Sequence, residues 1–205
     1  MKNNEEIEVK FFVQDLAGIE RRLQQLGARP VQARSREVNL RFDRPDGSLE
    51  RDHRVLRLRQ DMEAHLTYKG PGELRDGVRA REEIEFSVGD FAATRALLEA
   101  LGFRVSVVYE KYRRVYAFED AHIMLDEMPY GDFVEIEGPQ AESIRENAQR
   151  LALDWEKRIT GSYLALFGTL RRKRNLRFRD LTFENFEGIT AQPDDLKVSP
   201  ADAPS

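Results

Sequence analysis

Carboxylates, guanidinium groups and ammonium groups recur in this chain in alternating strings. In Glu6-Ile7-Glu8-Val9-Lys10 a charged side chain stands at every second position, and Leu56-Arg57-Leu58-Arg59 repeats the pattern with bases alone. Lys69 follows Thr67-Tyr68, while Arg81, Glu83 and Glu85 alternate with Ile84 and Phe86. Further along come Lys111 and Arg113, Asp126 after Leu125, and Glu135 and Glu137 between Val134, Ile136 and Gly138. Residues i, i+2 and i+4 of a strand share one face, so each string puts its charges on one side and its apolar groups on the other. Any one of these strands alone describes an ordinary half-solvated sheet. Taken together they are more specific, because the polar face is almost entirely acid and base. Arg and Lys bind phosphoryl oxygens, Arg in bidentate fashion. Carboxylates gathered from two strands, Glu6/Glu8 and Glu135/Glu137, are hard oxygen ligands suited to Mg²⁺ or Mn²⁺. The pattern points to a polyanion handled together with a divalent cation.

Composition removes most other chemistries. The 205 residues contain no cysteine, which excludes disulfides, thiolate catalysis and thiolate metal sites. His53, His65 and His122 have unrelated spacings and make no zinc motif. Each reads as an ordinary satisfied or surface histidine. A net charge of −4 argues against a nucleic-acid partner. No apolar run approaches the roughly 18 residues of a membrane span, and the polar start is no signal peptide, so the expected location is cytoplasmic.

The elements that must position these charges are short. Strands are expected at Glu5–Val13, Arg36–Asp43, His53–Gln60, Glu63–Lys69, Val78–Val88, Val105–Phe118, His122–Glu127 and Asp132–Gly138. Helices are expected at about Asp15–Leu26, Asp90–Leu101, Ala141–Ala152 and Thr160–Leu170, with Asp90 as an N-cap. Turn residues such as Pro45-Asp46-Gly47, Lys69-Gly70-Pro71-Gly72 and Asp76-Gly77 separate them. The expected class is α+β: an eight-stranded antiparallel β-barrel or tunnel with a charged interior, flanked by helices on its outer apolar face. Buried charges lose several kcal/mol of hydration each, so such a lumen implies a ligand. Trp155, Tyr163 and Phe167 read as packing residues between helix and sheet. The tunnel domain is expected over residues 1–170, followed by a basic extension over 171–188 and a disordered tail over 189–205. In Arg171–Arg179 six of nine residues are basic. Such a run can bind nucleic acid or polyphosphate. The plainer reading is a basic helix end whose Leu170, Leu176, Phe178 and Leu181 pack against the domain.

The order of these strings resembles the CYTH superfamily, the triphosphate tunnel metalloenzymes. Glu6-Ile-Glu8-Val-Lys10 matches its ExExK signature. Leu-Arg57-Leu-Arg59, Leu-Thr-Tyr-Lys69-Gly-Pro, Arg81-Glu-Glu83-Ile-Glu85, Glu-Lys111-Tyr-Arg113, Leu-Asp126 and Phe-Val-Glu135-Ile-Glu137-Gly138 follow in order, over about Glu5 to Leu166. The resemblance implies metal binding by Glu6, Glu8, Glu135 and Glu137, with Asp126 or Glu85. It implies triphosphate binding by Lys10, Arg57, Arg59, Lys69, Lys111 and Arg113, and by Arg81 if Glu82 and Glu83 leave it in register. Lys10, Lys111 and Asp126 are the expected catalytic residues, and Mg²⁺ or Mn²⁺ the cofactor. Within the superfamily the chain is most similar to the CyaB-type class IV adenylyl cyclases, which implies conversion of ATP to cyclic AMP and pyrophosphate. An inorganic or thiamine triphosphatase and a non-catalytic polyphosphate or nucleotide binder are the alternatives. A homodimer is a further expectation of the resemblance. The charged loop Arg44–Asp52 and the C-terminal extension depart from the family pattern.

Overall fold

In a computed structural model the structure describes residues 5–202. The first strand, β1 (Glu5–Val13), leads into α1 (Leu16–Gln25), whose Leu16, Ile19 and Leu23 are buried at helical spacing. The Asp15 carboxylate caps this helix, accepting from Gly18 N at 2.8 Å, and Gly27 ends the turn beyond it at φ +79°. There follow β2 (Arg29–Asp43), a one-turn α2 (Ser48–Arg51), β3 (Val55–Gln60), β4 (Ala64–Lys69), β5 (Glu73–Arg75) and β6 (Val78–Val88). Helix α3 (Phe91–Ala100) starts on Asp90, which accepts from Ala93 N at 2.9 Å as expected. Then come β7 (Arg104–Phe118), β8 (Ala121–Met128), β9 (Gly131–Glu137), α4 (Ala141–Arg150), α5 (Tyr163–Arg174) and the short α6 (Pro193–Leu196).

The strands pair antiparallel in the order β1-β9-β8-β7-β2-β3-β4-β6, and β6 pairs back onto β1. This closes a ring of eight strands, with β5 as an annex on β6. The α+β class and the antiparallel ring are as the sequence pattern implies. Strand β2 starts at Arg29 rather than Arg36, and in the ring region two short elements add to those expected. Helix α2 lies in the Arg44–Asp52 loop, and β5 lies between two turn signals where no strand was expected.

Outward-facing Ile7, Val9 and Phe11 of β1 join Ile123 and Leu125 of β8 and Val134 and Ile136 of β9, under α1 and α4. Each such burial is worth roughly 1.5–3 kcal/mol. A smaller cluster sets Leu98 of α3 against Leu40, Phe42 and Leu58. Helices flank the outer face as expected, but they leave part of β6 uncovered. Ile84 and Phe86 are exposed there, because α3 turns Leu98 to the sheet and leaves Leu97 and Leu101 to solvent.

The tail expected to be disordered packs instead. Leu196 and Ala201 are buried, and Ala201 N donates to Phe12 O at 2.9 Å. The Asp202 carboxylate accepts from Gln14 N and Asp15 N at 2.8–3.0 Å. Low hydropathy misled here because the segment is tied down by backbone hydrogen bonds and a few apolar anchors. Residues 203–205 of that tail lie outside the described residues. The remainder of the extension also packs: Leu170 and Leu181 are fully buried, and Leu176 and Phe178 lie against the same cluster.

Candidate active site

The ring encloses a cavity of about 280 Å³ lined by the charged strings. Antiparallel register decides who faces whom inside it. Lys10 stands opposite Glu135, with Nζ 3.0 Å from Glu135 Oε2 and 2.8 Å from Glu8 Oε1. Arg81 stands opposite Glu6 and donates from Nε to Oε2 at 2.8 Å. Lys69 Nζ reaches Glu6 at 2.5 Å and Glu83 at 3.2 Å. Arg113 forks onto both oxygens of Asp126 at 2.5 and 2.6 Å and reaches Glu135 at 3.0 Å. Asp126 also accepts from Lys111 at 3.2 Å and from the Tyr163 hydroxyl at 2.7 Å. Arg57 and Arg59 share Glu85, at 3.1 and 3.3 Å. The strand of Arg81 falls in register: Arg81 and Glu83 face inward and Glu82 is exposed.

Two inward pairs break this matching of opposite signs. Glu8 stands directly opposite Glu137, and Arg41 directly opposite Arg57. Like charges in directly opposed positions destabilise a sheet. A cation between the carboxylates would relieve the first pair, and an anion between the guanidinium groups the second.

Burial and charge act on these groups in opposite senses. Burial opposes ionisation of Glu6, but Lys69 and Arg81 outweigh it and hold its pKa near about 2. Glu135 is likewise held well below the carboxylate range, because Lys10, Arg113 and Lys111 outweigh its burial. Lys10 is raised, since Glu135 and Glu8 outweigh the cost of burying it. Glu137 goes the other way. Burial first, then the Glu6, Glu135 and Glu83 carboxylates, push it up to about 7. Glu83 is pushed up to about 7 by burial, with Glu6 adding and Lys69 opposing. One wall of the cavity therefore carries surplus negative charge.

That wall suits a hard divalent cation, since its donors are carboxylate oxygens and Glu137 has no basic partner within ion-pair distance among the described residues. Among the described residues no three carboxylates form a ready-made metal cage. Mg²⁺ is usually held by one or two carboxylates together with substrate phosphates, so Glu8 and Glu137 fit that mode. Of the other expected metal ligands, Glu6 and Glu135 lie beside this pair. Like Glu6 and Glu135, Asp126 and Glu85 are held by bases, but Asp126 and Glu85 stand on other strands than this pair.

Several inward-facing residues of the ring are absent from the sequence reading. Glu37 of β2 is fully buried and lies 3.5–3.9 Å from Lys111, Arg59 and Arg113, none of them in hydrogen-bonding geometry. Burial opposes its ionisation, but those bases bring its pKa to about 2. Asn39, opposite Arg59 and Tyr109, is also fully buried, with both amide atoms unpartnered. With Arg41 they form the alternation Glu37-x-Asn39-x-Arg41, the signal that could have found them. Arg79 shares the inward parity of Arg81 and was equally legible. Tyr163 was expected only to pack. Its ring also lies 5.3 Å from Lys10 Nζ and 5.4 Å from Lys111 Nζ, a placement that α5 and not local sequence decides.

At one end the charged lining gives way to aromatic residues. Phe12 and Phe133 are the next inward positions after Lys10 and Glu135. They meet edge-on at 5.4 Å, and Tyr163 meets Phe133 at 5.2 Å. A wider cavity of about 670 Å³ adjoins the first, sharing Arg41, Val55, Arg81, Ser162 and Leu164 with it.

A family model described as the CYTH domain matches residues 4–163. No curated protein matches the chain significantly. Among solved structures, the PH1012 protein of Pyrococcus horikoshii is 28% identical with a TM-score of 0.65, covering 77% of this chain and 96% of its own. A Vibrio parahaemolyticus protein provisionally assigned as an adenylate cyclase is 20% identical with a TM-score of 0.71, covering 79% and 97%. The Hippeastrum protein HpAC1, described as having a dominant triphosphatase activity, is 19% identical with a TM-score of 0.54, covering 95% and 100%. The last two likenesses concern the fold alone.

Proposed function

The chain belongs to the CYTH domain family, and from that premise we propose that it is a divalent-cation-dependent enzyme that binds a triphosphate inside the ring and releases its terminal phosphate. The observation that carries this reading is the pair of like-charge oppositions, Glu8 with Glu137 and Arg41 with Arg57, in one enclosed cavity. One calls for a cation and the other for an anion, and a metal-bound triphosphate supplies both.

In this reading Lys10, Arg57, Arg59, Lys69, Arg81, Lys111 and Arg113, joined by Arg41, hold phosphate oxygens. Glu8 and Glu137, flanked by Glu6 and Glu135, hold Mg²⁺ or Mn²⁺. When bound, the cation withdraws charge from the phosphoryl group. Lys10 and Lys111 both lie against the Tyr163 ring and stabilise the negative charge on the phosphate oxygens as water adds to the terminal phosphorus and the shortened phosphate chain leaves. Asp126 acts through others, orienting Arg113, Lys111 and the Tyr163 hydroxyl. Glu85 does the same for Arg57 and Arg59, and Glu37 for Lys111, Arg113 and Arg59.

Hydrolysis is preferred over cyclisation because the benzenoid rings lining the two cavities, Phe42, Tyr109, Tyr163 and Phe167, are all buried. They offer little face on which a nucleobase could stack. Cyclisation of ATP is the second reading. Its support is the exposed His53 imidazole beside Val55 and Leu164 in the wider cavity.

Phosphorus NMR with tripolyphosphate and with ATP, each in Mg²⁺ and in Mn²⁺, tests the choice. Orthophosphate from tripolyphosphate is the expected result. Cyclic AMP and pyrophosphate from ATP would establish cyclisation instead, and turnover that survives a chelator would refute the cation requirement.

A further inference from the structure

Beyond the triphosphate cavity, the adjoining cavity of about 670 Å³ has its own electrostatic character. Arg41 of β2 and Arg79 of β6 line it from the ring, and Arg171, Arg172 and Arg179 line it from the C-terminal segment. None of these guanidinium groups makes an ion pair with a carboxylate among the described residues. Their neighbours Lys173 and Arg174 do, lying 3.4 and 2.9 Å from Asp195. Positive charge at the end of α5 is thus neutralised by the tail at these neighbours and left uncompensated towards the cavity. The Nε atoms of Arg79 and Arg171 are buried without a hydrogen-bond partner, which costs free energy unless an acceptor arrives. The acids on the same wall do not answer this charge. Asp43 spends its carboxylate on the backbone N–H groups of Arg44, Leu49 and Glu50, which leaves the exposed Glu50.

We infer that this cavity is a second phosphate subsite that takes the phosphates of a linear inorganic polyphosphate lying beyond the three held in the ring. The inference rests on the triphosphate reading above. Arg41 lines both cavities, so a chain anchored opposite Arg57 continues past it without leaving basic surroundings. Three of the arginines come from residues past the 4–163 match, so the C-terminal segment adds the subsite to the family domain. An inorganic chain fits better than the backbone of a 5′-triphosphorylated RNA. Single-stranded nucleic acids are held by stacking on several exposed rings as well as by charge, and of the rings lining this cavity Phe42 and Phe167 are buried and the His53 imidazole alone is exposed.

The test is steady-state kinetics with tripolyphosphate and with a much longer linear polyphosphate at fixed Mg²⁺. Wild type is compared with the double variant Arg172→Gln/Arg179→Gln and with Arg171→Gln. Arg172 and Arg179 are exposed, so the double variant keeps its fold. It should raise KM for the longer chain roughly tenfold and leave both kinetic constants for tripolyphosphate unchanged. The difference should shrink as salt is added. Equal losses on the two substrates, or no loss on the longer one, overturn the subsite. If neither substrate is turned over, the triphosphate reading fails by itself. Calorimetric titration of the longer polyphosphate then reads the subsite directly, and binding insensitive to the variants overturns it. Tighter binding of a 5′-triphosphorylated RNA through the same arginines would overturn the inorganic assignment.

Discussion

Glu8 and Glu137 stand directly opposite each other across β1 and β9, an arrangement kept at a cost in the free protein. Glu137→Gln should therefore lower kcat by about 100-fold or more while the melting temperature stays level or rises. Initial rates across a Mg²⁺ titration and a thermal melt read the two effects separately. Arg41 has the mirror-image role, facing Arg57 with no carboxylate partner among the described residues, and burial lowers its pKa. Arg41→Gln should raise KM for tripolyphosphate about tenfold, as loss of a charge-assisted hydrogen bond does, without loss of stability. Asp132 offers a pH test away from the site. Burial, with Glu127 opposite it, raises its pKa to about 6. The folded state then holds a proton that the unfolded chain has released, so this group's contribution to stability falls as pH rises from about 4 to 6. Asp132→Asn should stabilise the protein by on the order of 1 kcal/mol at pH 7 and by nothing at pH 4, as denaturant midpoints at the two pH values would show.

Strands of unequal length leave gaps in a ring, and here the C-terminal half fills them. Where β1 runs past β6, Ile159 exchanges backbone hydrogen bonds with Lys10 at 2.7 and 3.0 Å. Where β7 runs past β8, Leu181 bonds to Val108 and Glu110, both at 2.9 Å. Unpaired strand edges are otherwise exposed to solvent or to other chains. Removal of residues 189–205 should consequently destabilise the protein by about 3 kcal/mol or more, since it strips Leu196 and Ala201 from their contacts and Asp202 from Gln14 and Asp15. A free tail would leave the melting temperature unmoved. Alternation made most strands legible, β1 and β6 to their end residues. It could not show the seams, because the residues that fill them carry no strand pattern of their own.

As a whole the molecule encloses its charges and turns much of its apolar surface outward under helices. Ion pairs inside the ring, such as Lys69 with Glu6 and Arg113 with Asp126, lose hydration that their pairing only partly restores. A ligand that binds only the closed ring should then stabilise it by mass action. Tripolyphosphate with Mg²⁺ at about 100 times its dissociation constant should add about 2.7 kcal/mol to unfolding, and a chelator should remove most of that gain. Thermal melts with tripolyphosphate, with and without chelator, check this. An equal shift in both would separate anion binding from the cation.

Sequence by itself determined which side chains share a face, since strand geometry makes every second residue a neighbour. Glu6, Glu8, Lys10, Arg57, Arg59, Lys111, Arg113, Glu135 and Glu137 were legible for that reason. Parity carries no information about which strand lies alongside or in what register. Tertiary structure alone decided that Glu8 meets Glu137 and Arg41 meets Arg57, that Asp126 is taken by Arg113, Lys111 and Tyr163, and that a polar tail folds back onto β1. These are contacts between residues far apart in the chain, fixed by ring closure and the packing of α5.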